Sequence, residues 1–280
     1  MFSIKKLIIV IDFFKKYLSL CNLNERESQG YFSSLTKLRF MPYTRILVPF
    51  SMGRTIRGTS FKKNLMQDPY GKLAIETFKG VDNKIIYKNI LKEFKREREL
   101  NAADIAHLME NTKLNKYPAW AVVMPWEKLN IEKKFETYPE CFYKNRSSKG
   151  LSFENRSRLS IIENMYSAKS ADSKVNQMLK LYKSIKLNGL RVDKDHNLPK
   201  INILVKESEW RWFMDDAGNH RSYICACFDF EFFDARVSSI IKRHEVNSWP
   251  NVINGTYSAK EAVYIFDSYF DGSDVFRGIV

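Results

Sequence analysis

The chain has 280 residues, 44% of them hydrophobic and 14% aromatic, with 28% charged and a mean hydropathy of −0.38. That composition excludes a disordered or collagen-like chain and leaves ample material for a packed core. Forty-six Lys and Arg against 32 Asp and Glu give a net charge of +14, and the whole excess falls within residues 1–170; residues 171–280 are balanced, with 15 of each sign. A basic half implies an anionic partner, or else a Lys-rich solvated surface. The four cysteines (Cys21, Cys141, Cys225, Cys227) form no C-x-x-C pair, so neither a zinc site nor a disulfide framework is expected. A reducing cytoplasm is the default, and Cys225 and Cys227 read as buried small apolar residues.

In chain order, Ile4, Leu7, Ile8, Ile11, Phe14 and Leu18 share one face of a predicted basic amphipathic helix. Five consecutive apolar residues are too few for a secretory or membrane-spanning segment. The helix suits the core, or a peripheral contact with an anionic membrane. Residues 23–75 read as loop-rich, and Gly53-Arg54-Thr55-Ile56-Arg57-Gly58-Thr59 as a solvated basic loop. Arg54 and Arg57 are its candidate acceptor-binding residues, since guanidinium forks grip phosphate. The loop lacks Gly-Lys-Ser/Thr and is no P-loop.

Residues 85–99 suit a helix whose Lys95-Arg96-Glu97-Arg98-Glu99 end reads as a solvated face, and Asn101 opens another helix through about Met109. The apolar run Ala119 to Met124, before Pro125, reads as a short buried strand. A boundary near residue 168 divides a basic N-terminal region, 1–168, from a C-terminal domain, 169–280. Residues 173–187 form a helix stopped at Asn188-Gly189, Ile201, Ile203 and Val205 alternate as a strand, and Trp210 to Met214 is a second strand. A turn at Asp215 to Gly218 leads to a helix over 220–228, then a strand over 231–237. Trp249 is expected to pack on this domain. Ser258-x-x-Glu261 is a capping box opening a helix to about Phe270.

In this order a glycine turn delivers a helix N-terminus, whose unpaired N–H groups and dipole suit phosphate. Gly218, Asn219, His220, Arg221 and Ser222 are the candidate nucleotide-binding residues. The stretch from Lys183-Ser184-Ile185 through Asn188-Gly189, Leu198-Pro199-Lys200-Ile201 and Gly218-Asn219-His220-Arg221 resembles the ParB/sulfiredoxin superfamily over roughly residues 172–238. The resemblance implies a small mixed C-terminal sheet with helices; with the basic, helix-rich N-terminal part and its few strands, the expected fold is α+β. Sulfiredoxin carries Gly-Cys-His-Arg at its phosphate site; Asn219 replaces that cysteine here, so sulfinic-acid reduction is not expected. Free-serine kinases of the superfamily carry Asp-Gly before the basic pair; here Ala217 stands at the Asp position, and Asp216 lies one residue earlier.

What the resemblance implies is an ATP-dependent phosphotransferase using ATP or another nucleoside triphosphate with Mg²⁺. Asp216, His220, Asp193 and Asp195 are its candidate catalytic residues, and its acceptor is an anionic molecule such as a phosphorylated sugar, glycan or glycolipid. Two other readings stand beside it. One is a ParB-like nucleotide-dependent nucleic-acid-binding protein, although no helix-turn-helix pattern follows the core. The other is a nucleotide-binding scaffold without turnover.

Overall fold

A computed structural model describes residues 45–147, 157–190, 198–215 and 218–273. The expected amphipathic helix over residues 4–18 lies outside them, as do Cys21 and the candidate catalytic residues Asp193, Asp195 and Asp216. The fold is mixed α+β, organised on one five-stranded mixed sheet.

The strands are β1 (Arg45–Pro49), β2 (Gly53–Arg54), β3 (Lys200–Lys206), β4 (Glu209–Met214) and β5 (Phe232–Lys242), in the spatial order β1-β5-β3-β4-β2. β3 and β4 form an antiparallel hairpin, with Ile203 opposite Trp212. β5 runs parallel to β3 and antiparallel to β1, and β2 runs parallel to β4. The strand expected over 231–237 therefore continues to Lys242. The sheet draws on both sides of residue 168: its two edges come from residues 45–54 and its centre from residues 200–242. The boundary expected there does not separate two sheets or two cores.

Side chains alternate across each strand. Ile46, Val48, Ile201, Ile203, Trp210, Trp212 and Met214 enter one core, while Leu204, Phe213 and Ile241 enter the other. The first core is covered by α1 (Pro69–Phe78), α2 (Asn83–Arg98), α6 (Ala168–Asn188) and α7 (Asn219–Cys227). The second is built with α3 (Ala102–Ala106), α4 (Ile131–Ser147), α5 (Arg158–Met165), α8 (Pro250–Ile253) and α9 (Ala259–Asp271). Trp249 packs there, 5% exposed, stacked on Phe266.

Local chemistry sets the helix ends. Asp68 caps α1 ahead of Pro69, whose missing N–H costs nothing at the first helical position. Asn101 and Asp104 close a capping box on α3, which stops at Ala106 because His107 turns left-handed at φ 53°. Ser258 and Glu261 form the expected capping box on α9.

The strand expected at 119–124 does not form. Ala119–Ala121 is a 3-10 turn, and the buried residues after it pair with no strand. Side chains take the place of a neighbouring strand. Lys134 donates to the Val122 carbonyl at 2.5 Å, the Tyr257 hydroxyl to Val123 at 2.5 Å, and Asn251 to Met124 at 2.9 Å. An apolar run marks burial, but pairing needs an open sheet edge, and the β1 and β2 edges lie elsewhere. Among the described residues, no helix is long and apolar enough to cross a membrane.

Candidate functional site

The site is assembled around the first turn of α7. Gly218 sits just before it at φ +100°, a conformation that costs other residues strain. A Cβ there would lie 2.6 Å from the Pro199 Cβ, so this contact with the entry to β3 also requires glycine. As N-cap, Gly218 has no side chain to offer the first N–H groups of the helix, which stay suited to an anion. The expected helix and glycine turn are thus both present.

The residues of that turn have distinct fates. His220 is half-buried, and its ring meets the edge of Tyr70 with centroids 5.7 Å apart. Arg221 is half-buried close to Cys225. Ser222 is fully buried and donates its hydroxyl to the Asn219 carbonyl at 2.8 Å, so it is turned into the helix rather than toward its open end. Asn219 Oδ1 is buried without a hydrogen-bond partner among the described residues. Tyr223, 1% exposed, donates to Asp68 Oδ2 at 2.9 Å.

Beneath His220 lies a buried charged cluster. Asp68 accepts from the backbone N–H groups of Tyr70 at 2.8 Å and Gly71 at 3.1 Å, besides Tyr223. Arg57 donates to Glu97 at 3.1 Å, and the two side chains are 2% and 1% exposed. Its guanidinium also lies 5.9 Å from the Tyr70 ring centre. Lys174, on α6, donates to the Tyr70 hydroxyl and stands 4.7 Å from that ring and 5.3 Å from Phe94. Tyr70 therefore touches His220, Arg57 and Lys174 at once. The Arg57 Nε is buried with no hydrogen-bond partner among the described residues, and a buried guanidinium N–H left open suits an acceptor oxygen.

Electrostatics keep Arg57 charged. Burial opposes the charge on Arg57, but Asp68, Glu97 and the neighbouring tyrosines raise its pKa above the ordinary value. Burial and the Asp68 carboxylate push the Tyr223 phenol well above its usual range, with Arg57 opposing them. Arg57 is matched by Glu97 and Asp68, so what the cluster leaves for an oxyanion is the open Arg57 Nε–H rather than an excess of positive charge.

The solvated loop expected at 53–59 is not solvated. Arg54 is 5% exposed and donates to the Tyr269 carbonyl at 3.0 Å and to Phe270 at 2.6 Å, neutralising the C-terminal end of α9. Burial, and then Arg211, lower its pKa to about 10. Of the two arginines assigned to acceptor binding, Arg57 joins the site and Arg54 is occupied with α9. The run Lys95 to Glu99 is likewise not wholly solvated, because Glu97 continues the buried stripe of Ile86, Ile90 and Phe94.

Tyr70, Asp68, Glu97 and Lys174 were not expected at the site. Two left a sequence signal: Glu97 lies three residues beyond Phe94 on an apolar stripe, and Lys174 lies between Ser170 and Met178 on the buried face of α6. No group of His, Cys, Asp or Glu among the described residues could hold a metal ion. Asp68 and Glu97 are engaged as described, so neither fits as a Mg²⁺ ligand. No known protein family, curated protein or solved structure matches the chain.

Proposed function

We propose that the chain is a nucleotide-dependent phosphotransferase of the ParB/sulfiredoxin type, transferring a phosphoryl group to a hydroxyl of a small molecule, sugar or glycan. The observation that carries this reading is the meeting of His220, Arg57 and Lys174 on Tyr70, directly beside the open first turn of α7. Phosphoryl transfer asks a protein chiefly to position phosphates and spread their charge. Here the N–H groups after Gly218 and the Arg221 guanidinium hold phosphate oxygens, and the open Arg57 Nε–H offers a further donor.

Asp68 and Glu97 are both engaged, so neither takes the acceptor's proton; Asp193, Asp195 and Asp216 remain the candidates for that role. The basic excess of residues 1–170 suits an anionic acceptor, a glycolipid at a membrane surface included. Calorimetry with ATP, CTP and ADP tests the reading. Arg221→Ala should weaken triphosphate binding about ten- to hundredfold, matching the loss of a charge-assisted contact of about 1.5–3 kcal/mol. Unchanged affinity, or no nucleotide binding by the parent protein, overturns it.

A further inference from the structure

Some lysines of this protein stand beside carboxylates. Lys72 pairs with Glu76 on α1, Lys133 with Glu136 and Lys144 with Glu140 on α4, and Lys113 with Glu132. On α2 the lysines form a row without such pairs. Lys84, Lys88, Lys92 and Lys95 are all exposed, and none has an ion pair among the described residues. Their spacing of four, four and three residues places them within about 80° of one another around the axis, over about 16 Å of its length. Asp82 and Glu99 flank the row only at its ends. Glu93 turns to Arg96, and Glu97 turns inward to Arg57.

We propose that this face of α2 docks the phosphodiester backbone of a nucleic acid, without reading its sequence. The row is a linear array of ammonium point charges, suited to a linear array of monovalent phosphates. Asn89, the amide side chain of the helix between these lysines, donates to Glu76 and so is not offered to base edges. A membrane is the poorer fit. An interfacial helix must sink an apolar face into lipid, and here Ile86, Ile90 and Phe94 are locked in the core. α6, which packs against α2, adds exposed Lys180 and Lys183. This surface is independent of the nucleotide reading of α7.

The test is binding of a labelled 20-base-pair duplex by the full chain, by anisotropy, from 50 to 200 mM salt. Four phosphate contacts predict a roughly hundredfold loss of affinity across that range. Replacing Lys84, Lys88, Lys92 and Lys95 with Gln should remove most of the binding and most of the salt slope. A control replacing Lys116, Lys128, Lys133 and Lys144 removes the same charge elsewhere and should keep the slope. Absence of duplex binding by the parent at 50 mM salt overturns the proposal. Equal losses in the two variants overturn it too, since bulk charge is then responsible. Phosphatidylserine vesicles that bind through these lysines where duplex does not would also overturn it.

Discussion

Glu97 holds Arg57 at 3.1 Å in a place where neither side chain reaches solvent. An ion pair so placed stabilises a fold little by forming and costs much by breaking, because the survivor is left as a buried charge. Glu97→Ala should therefore destabilise the protein by about 3–5 kcal/mol in urea unfolding. The double variant Arg57→Met with Glu97→Leu should lose less than that single change. A double variant as unstable as Glu97→Ala would show that the pair contributes through something other than mutual compensation.

Gly218 carries two independent demands, a left-handed backbone and contact with Pro199. Gly218→Ala should cost about 1–3 kcal/mol of stability, the usual scale of such backbone strain. It should also disturb the first turn of α7, so nucleotide affinity should fall in the same variant. Thermal unfolding and calorimetry on one preparation check both effects.

Tyr223, Tyr257 and Tyr269 have phenol pKa values raised well above 10, first by burial and then by nearby carboxylates. In the unfolded chain these groups lose their protons near pH 10, while the folded protein keeps them. Their contribution to stability is complete below pH 10 and is lost progressively as the pH rises above it. Each tyrosine can contribute a slope of up to about 1.4 kcal/mol per pH unit. Urea unfolding at pH 9, 10 and 11 should show this decline, and Tyr223→Phe should make it shallower.

Burial pushes the Cys225 thiol up to about 12, against the influence of Arg221, and the Cys227 thiol also to about 12. Neither supplies a thiolate at neutral pH, and Asn219 offers no sulfur. The purified protein should fail to reduce a hyperoxidised peroxiredoxin. Under native conditions iodoacetamide should modify exposed Cys141 well before Cys225, as peptide mass mapping would reveal.

What could be read from the residues was local. The capping box of Ser258 and Glu261, the alternation of Ile201 and Ile203, and the glycine turn at 218 are set within a few positions of chain. What escaped depended on distant partners. Arg57 and Arg54 resemble solvated arginines until Glu97, 40 residues away, and Phe270, 216 residues away, are brought to them. Lys174 meets Tyr70 across 104 residues, and nothing near either residue announces it. Ala119 to Met124 has the composition of a strand, but Lys134, Tyr257 and Asn251 supply its partners from outside any sheet.

The placement of β1 and β2 at the sheet edges, with β3 to β5 between them, bears on how the chain is born. About 145 residues separate β2 from β3. At about 5–20 residues per second, the ribosome takes roughly 7–30 s to cover that interval. Throughout that time the two early strands have no partner, because the strands they join do not yet exist. Refolding of the complete chain meets the same obstacle as loop-closure entropy, which favours slow folding. Nascent chains halted before β3 should therefore be captured by a holding chaperone, whereas chains released after β5 should escape it.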